Sequence, residues 1–340
     1  MSSTVNWSGF LQRLSEARDA VLLTHVRPDG DALGSLIGLT AAIRACNGRA
    51  RPILFDPVPP RYAWLLEDRF AGAIPLWNAA VHHGWLAEAD TVFIVDTGSA
   101  QQVAPAIEAL RAHMHKVAVL DHHRTRDLPA PILCVDPSAG AACLMVLELL
   151  EARGVSITPA LAEALLAGLS ADTGWFKYSN TDARALRAAA RLQEAGAPWA
   201  PTYRRLFQAD SLQRLRLTAR AFEKLELHAG GAVATVALSL ADFAAVGAGA
   251  GEAEGLLDAV HALAAVQVSA LLTEQADGPV RVNLRAKGPY DVSRVAQSFG
   301  GGGHVRASGC RLSLPLDGAV RAVVAGLEET LARGPVPEQD

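Results

Sequence analysis

Acids and histidines gather where short apolar runs end. In VLLTHVRPDGDALGS, His25, Asp29 and Asp31 follow the run Val21 to Leu23. In TVFIVDTGS, Asp96 closes Thr91 to Val95, and in VAVLDHHRT, Asp121, His122 and His123 close Val117 to Leu120. LLAGLSADTGWF places Asp172 just past a helical stretch. Imidazoles and carboxylates hold divalent cations and move protons. Several carboxylates at contact distance cannot all stay ionised without protons or cations, and a pair of divalent cations is the natural compensation. No cysteine stands in these motifs, which excludes a thiolate site. The mixed donor set fits Mn2+, with Mg2+, Co2+ or Zn2+ as alternatives. Two such cations roughly 3.5–4 Å apart acidify water and clamp a phosphoryl oxygen.

Each residue alone has a plainer reading. A single Asp after a strand is more often a helix cap than a ligand. His82 and His83 read as a loop pair, and His113 and His115 as surface residues at the wrong end of the third run. His228 and His261 have no acidic company and read as ordinary packed or exposed residues. The joint occurrence at three run ends is what favours chemistry. The second feature is SFGGGGHVRASG, in which Gly300 to Gly303 precede His304. Without Cβ atoms, backbone N–H groups can approach an anion closely. The GK[ST] ending of a Walker loop is absent. Alone the run reads equally well as a flexible connector. Arg285 upstream and His304 and Arg306 beside it turn the reading toward a phosphate or nucleotide clamp, because the guanidinium fork fits phosphate.

The elements that must carry these residues follow from patterning. Short, unalternating apolar runs separated by alanine-rich helical stretches (32–45, 141–152, 160–169 and 182–195) predict a parallel sheet covered on both faces. Its strand ends lie on one edge, where ligands bind. The pattern breaks near Gly196 to Pro201. A basic helical stretch follows, with Arg204, Arg205, Arg214, Arg216 and Arg220 against Asp210, and reads as a linker over 196–220. Beyond it come strands at 232–238, 268–272, 281–285 and 310–314 and helices at 251–265 and 292–299, a smaller mixed α/β domain over 221–340. The tail from Gly334 should be mobile.

Composition sets the outer bounds. A chain of 340 residues, half of them hydrophobic, has material for two packed domains. A net charge of −4 argues against gripping long nucleic acid by bulk electrostatics, though not against a small anionic substrate. Four cysteines without a CxxC pair exclude a zinc ribbon and suggest a reducing, cytoplasmic setting. The apolar stretch 255–272 carries Asp258, His261 and Gln267, so no membrane span is expected.

H-x3-D-x-D, the lone Asp96, the literal Asp121-His122-His123 and Asp172 in ADTG together resemble the DHH phosphoesterases. NLRAKG and GGGGHVRASG resemble their DHH-associated C-terminal domain, of the RecJ-like, short-oligonucleotide type. The resemblance spans nearly the whole chain, and its size and plan are similar to the bifunctional oligoribonuclease and adenosine 3′,5′-bisphosphate (pAp) phosphatase branch. It implies a catalytic domain over 1–195. His25, Asp29 and Asp96 would hold one Mn2+, and Asp31, Asp96, His122 and Asp172 the other, with Asp96 bridging. His123 would face the scissile phosphate, and Asp121 would orient the histidines. Arg285, Gly301, Gly302, Gly303 and His304 would hold the far end of the substrate, with Ser293 and Arg306 as weaker candidates. The implied activity is hydrolysis of 5′-phosphorylated RNA or DNA oligonucleotides of two to five nucleotides to mononucleotides, and of pAp to AMP. No membrane partner is implied, and a homodimer is left open. A cyclic or linear di-AMP phosphodiesterase is the alternative. A family II inorganic pyrophosphatase is disfavoured by GGGGH, and a non-catalytic nucleotide-binding module by the intact set of ligands. A processive RecJ-type exonuclease would need more domains.

Overall fold

The computed structural model describes residues 5–67, 74–124, 126–253 and 255–336, and of His304 the backbone alone. The tail expected to be mobile is described through Val336, whose amide donates to the Pro289 carbonyl at 2.6 Å; the rest of that stretch lies outside the described residues. The chain divides into two units, Met1–Ala209 and Asp210–Asp340.

The first unit holds strands β1 (Asp19–Leu23), β2 (Arg49–Pro52), β3 (Thr91–Val95), β4 (Val117–Asp121) and β5 (Ile132–Val135), all parallel, in the order β2-β1-β3-β4-β5. Its helices are α1 (Trp7–Glu16), α2 (Gly30–Ala45), α3 (Trp64–Glu67), α4 (Ala79–Glu88), α5 (Ile107–Ala112), α6 (Ala142–Ala152), α7 (Pro159–Asp172), α8 (Ala183–Glu194) and α9 (Trp199–Phe207). Alternate residues of the central strands feed two cores. Leu22, Phe93 and Leu120 join Phe10, Leu33 and Leu165 on one face, while Val21, Ile94 and Val119 join Leu86 and Leu110 on the other. Burial on both faces is why these strands read as unbroken apolar runs. The chain steps from β1 out to β2 and returns to β3 on the far side of β1. The order therefore reverses between β1 and β3, the place where open α/β sheets leave a crevice for ligands.

Glycines set the closest helix crossing. Gly30, Gly34 and Gly38, four residues apart on α2, share one face. A Cβ on Gly34 would sit 2.6 Å from both the Ala164 carbonyl oxygen and Cys143 Sγ, and one on Gly38 would sit 2.4 Å from Val146 Cγ1. On α7, a Cβ on Gly168 would meet Cys143 Sγ at 2.2 Å and the Gly30 carbonyl oxygen at 3.0 Å. This approach brings the start of α2, with Asp31, to the end of α7, with Asp172. Gly38→Leu should therefore destabilise the fold by about 1–3 kcal/mol through overpacking, read as a lowered melting temperature. An unchanged melt would mean that the helices do not pack this closely.

The second unit holds β6 (Leu225–His228), β7 (Val233–Leu238), β8 (Val268–Thr273), β9 (Val280–Ala286), β10 (Gly302–His304) and β11 (Ala307–Leu312), in the order β10-β11-β9-β8-β7-β6. Only β7 and β8 pair in parallel; the other pairs are antiparallel. Helices α13 (Ser293–Ser298) and α14 (Leu316–Ala332) cover one face through Val295, Val323 and Leu327. Helices α10 (Leu212–Glu223), α11 (Leu240–Val246) and α12 (Leu256–Val260) cover the β7 side of the other through Leu217, Phe243 and Leu257.

Several elements differ from their sequence reading. The stretch 196–220 contains two helices that pack apart: Leu206 of α9 lies in the first unit's core and Leu217 of α10 in the second's. The helix expected over 251–265 shrinks to a 3-10 turn, Ala250–Ala253, and α12, because Gly255 adopts φ +76° and leaves the helical region. The expected strand over 310–314 runs instead over Ala307–Leu312, and the end of the glycine run is an edge strand rather than a loop. His82 and His83 lie in α4, where His82 is buried and its Nδ1 accepts from the Asn78 amide at 2.8 Å.

Candidate metal and phosphate site

The turn after β1 delivers His25, and Asp29 caps α2: its Oδ1 accepts from the Asp31 and Ala32 amides, both at 3.0 Å. The cap reading and the ligand reading thus fall on one side chain. Asp31, in the first turn of α2, is wholly buried and reaches across to the start of α6, accepting from the Ala142 amide at 2.6 Å and the Cys143 amide at 2.8 Å. It satisfies donors that Ala141, which makes no side-chain cap, leaves open. Asp96 follows β3 in the left-handed region, φ +62°, a conformation that Asp tolerates better than most residues. Asp121 ends β4, and its Oδ1 accepts from the His122 and His123 amides and from His123 Nδ1 at 2.8, 3.1 and 2.8 Å. The Ala139 carbonyl lies 3.1 Å from His122 Nδ1, which leaves Nε2 facing the acids. The loop bearing Ala139 is itself pinned by Arg184, which bonds Asp136 at 2.6 Å and Glu148 at 2.6 and 2.7 Å.

These residues converge. His25 Nε2 is 3.3 Å from Asp96 Oδ2 and 3.8 Å from Asp29 Oδ1. His122 Nε2 is 3.1 Å from Asp172 Oδ2, 3.5 Å from Asp96 Oδ1 and 3.8 Å from Asp31 Oδ2. His123 Nδ1 is 3.7 Å from Asp96 Oδ1, and its ring meets that of His122 edge-on at 4.5 Å. Among the described residues, three sets have donor atoms close enough to share a cation: His25, Asp29 and Asp96; Asp31, His122 and Asp172; and Asp96, His122 and His123.

The electrostatics show charge awaiting compensation. Burial, then Asp31, Asp29, Asp172 and Asp121, hold the Asp96 carboxyl well above the usual carboxylate range. Burial and Asp172 push Asp31 up to about 6 against the opposing pull of His122. Burial pulls the His122 imidazole down, but Asp172, Asp31 and Asp121 outweigh it and lift it to about 10. Asp96 Oδ1, Asp121 Oδ2 and His122 Nε2 are buried without a hydrogen bond of good geometry. Buried polar atoms are ordinarily satisfied, and an unsatisfied group calls for a specific explanation such as an ion. The donors are imidazole and carboxylate, so the residues fit a divalent cation.

In the second unit, Arg285 of β9 pairs in register with Ala307 of β11, which pairs with His304 of β10; Ser269 of β8 lies opposite Arg285 on the other side. Arg285 is half-buried, and one of its Nη atoms donates to the Leu284 carbonyl. Arg306 occupies the turn between β10 and β11. Ser293 is buried, and its hydroxyl and amide both bond Asp291 Oδ1, so its donors are committed within the fold. The glycines separate by demand. Gly300 adopts φ +74° and Gly303 φ +137°. A Cβ on Gly301 would meet the Gly309 carbonyl oxygen at 2.2 Å, and one on Gly303 the Ala307 carbonyl oxygen at 2.6 Å. Gly302 has neither demand; its missing Cβ points into open space.

Sequence reasoning missed the glycine face of α2 and α7, which a four-residue spacing could have signalled. It also missed Asn180, whose amide reaches the Asp172 carbonyl and which nothing in the local pattern marked.

The family model described as "DHH family, N-terminal domain" matches residues 20–169, and the "DHHA1 domain" matches residues 228–333. The chain is 31% identical over 316 residues, 92% of its own length and 90% of the relative's, to the bifunctional oligoribonuclease and PAP phosphatase NrnA of Thermus thermophilus. It is 27% identical over 311 residues to the cyclic-di-AMP phosphodiesterase GdpP of Geobacillus thermodenitrificans, covering 88% of this chain and 45% of that one. Its fold is similar to that of an exopolyphosphatase-related protein from Bacteroides fragilis, with a TM-score of 0.87, 23% identity and 95% of each chain covered.

Proposed function

The chain belongs to the DHH family, and we propose that it is a metal-dependent phosphoesterase that hydrolyses short 5′-phosphorylated oligonucleotides to mononucleotides and pAp to AMP. The observation that carries this is the convergence of His25, Asp29, Asp31, Asp96, His122 and Asp172 around buried atoms that lack a hydrogen bond of good geometry. The relative from Thermus thermophilus, similar over nearly its full length, bears the name of both activities. His25, Asp29 and Asp96 would hold one divalent cation, and Asp31, Asp96, His122 and Asp172 a second, with Mn2+ preferred. Such cations acidify water and offset phosphoryl charge.

The chain's own residues do the rest. Ala139 and Asp121 fix the two histidine rings, a role typical of groups one layer outside a metal site. With Nδ1 bonded to Asp121, the His123 ring is oriented, and we assign it to the scissile phosphate. In the reaction a water oxygen bonds to phosphorus and the bond to the leaving oxygen breaks. One water proton ends on that oxygen, a transfer in which His123 would act as the donor, and the other goes to solvent. Arg285, Gly302, His304 and Arg306 would bind a phosphate or base beyond the scissile bond; Ser293 is the weakest member of that group because its hydroxyl is engaged. Among the described residues no helix is long and apolar enough to cross a membrane. The four free cysteines are the reason we place the enzyme in the cytoplasm.

A Mn2+-supplemented panel tests the reading: 5′-phosphorylated RNA of graded length, the corresponding DNA, pAp, cyclic di-AMP and pyrophosphate, assayed side by side. The expected result is fastest turnover of the shortest RNAs and of pAp. A preference for cyclic di-AMP would move the chain to the second reading, which the Geobacillus relative favours; no turnover of any phosphoester would end both. Within the glycine run, Gly302→Ala should raise KM for a dinucleotide while leaving the melting temperature unchanged, since nothing in the fold requires that glycine. Gly303→Ala should lower the melting temperature, because of its φ and its contact with the Ala307 carbonyl. If Gly302→Ala leaves KM unchanged and Gly303→Ala lowers only the melting temperature, the glycine run serves the fold alone.

A further inference from the structure

We infer that Asn180 is a positioning residue for the cation set formed by Asp31, His122 and Asp172; the inference rests on the metal reading above. Its side-chain amide spans two places in the fold. Nδ2 donates to the Gly140 carbonyl at 2.9 Å and to the Asp172 carbonyl at 3.1 Å.

Each end of that bridge carries ligand candidates. Gly140 sits between Ala139, whose carbonyl faces His122 Nδ1, and Ala142 and Cys143, whose amides hold Asp31. The other end is the backbone of Asp172 itself, the last residue of α7. One amide thus ties together the backbone supports of all three side chains. The approach is close: a Cβ at Gly140 would sit 2.7 Å from the Asn180 carbonyl oxygen, so any larger residue there would push the two segments apart.

The chain takes an unusual route to make this bridge. Gly174, Trp175 and Phe176 adopt φ of +56°, +57° and +63° in succession. Left-handed conformation in bulky residues costs energy and persists only where the surroundings over-determine it, most often at functional sites. Aromatic packing over-determines it here. Trp175 meets Trp199 and Tyr203 of α9 at 5.0 Å each, and Phe176 stacks on Trp199 at 5.6 Å with 13° between the planes. The Trp175 amide donates to the Ser170 carbonyl at 2.7 Å, and the Lys177 and Tyr178 amides both donate to the Thr173 carbonyl. The turn reverses the chain, so that residue 180 returns to the carbonyl of residue 172.

Calorimetric titration of MnCl2 into the chelator-stripped full chain tests the inference. Asn180→Ala should weaken Mn2+ binding by about 10–100-fold, the usual consequence of losing a group that orients metal ligands. Turnover lost at low Mn2+ should return when Mn2+ is raised. Unchanged Mn2+ affinity overturns the inference, whatever happens to activity or to the metal-free melting temperature. A fall in kcat that excess Mn2+ does not restore also overturns it. If Asn180→Ala does not fold, Asn180→Leu, close in size and without the donor, is read by the same criteria. Wild-type protein that binds no Mn2+, Mg2+ or Co2+ overturns the metal reading first and the inference with it, which separates the two failures.

Discussion

Asp96→Asn is expected to remove turnover almost completely while leaving the metal-free protein at least as stable as the wild type. Asp96 stands between both cation sets, with Oδ2 3.3 Å from His25 Nε2 and Oδ1 3.5 Å from His122 Nε2. A residue serving both cations should cost more on removal than the ~10²–10³-fold typical of losing one transition-state-stabilising group. The stability half has the opposite sign for the same reason. Asp96 is 2% exposed, and burial together with four neighbouring carboxylates holds its carboxyl well above the usual range. Without cations, an ionisable group in that position burdens the fold; an amide of the same shape does not, and Asn also accepts the left-handed backbone at φ +62°. Such opposition between activity and stability is common at sites built for function. The checks are a thermal melt of the chelator-treated variant and steady-state turnover with saturating Mn2+. Turnover near the wild-type value would remove the bridging role. A melting temperature several degrees below wild type would mean that the carboxylate has a structural partner.

How far the sequence alone reached depends on what each residue does. The central strands were legible because burial on both faces leaves an unbroken apolar run, and β3 begins and ends where its run does. The ligand candidates were legible because a parallel sheet sends all strand ends to one edge, so separate motifs could be read as one cluster. Edge elements were not. In β2, Arg49-Ala50-Arg51-Pro52, two arginines and a proline carry no strand pattern; Arg51 is nonetheless buried, paired with Asp19 at 2.8 Å and Glu88 at 3.0 Å. Helix α12 was overextended because the alanine-rich composition hides the left-handed Gly255, a backbone event with no apolar signature. The run Gly300 to Gly303 looked uniform, yet backbone conformation requires Gly300 and Gly303, close packing requires Gly301 and Gly303, and neither requires Gly302. Contacts made through backbone carbonyls, such as Asn180 to Asp172 and Ala139 to His122, leave no mark on the sequence, because every residue type supplies the same acceptor.

His123→Ala should separate chemistry from metal binding. His123 follows a ligand candidate directly, yet its environment differs. Its side chain is 32% exposed where that of His122 is 8% exposed, and its Nδ1 is bonded to Asp121 at 2.8 Å. Asp121 thus fixes the ring through Nδ1, and the exposure leaves room for a phosphate beside it. His122 has the reverse arrangement, its Nε2 closed in by Asp172, Asp96 and Asp31. Loss of a group that stabilises charge only in the transition state lowers kcat and kcat/KM together, here by about 10²–10³-fold. Mn2+ content should stay at the wild-type value. His122→Ala should instead lower metal content, and added Mn2+ should recover part of its activity. Asp121→Asn, which keeps the shape but weakens the hold on His123 Nδ1, should fall between wild type and His123→Ala in kcat with metal content unchanged. Elemental analysis of the purified variants, beside kcat at saturating Mn2+, decides the matter. If His123→Ala is purified without metal, the set of Asp96, His122 and His123 is the working cation site and His123 is a ligand within it.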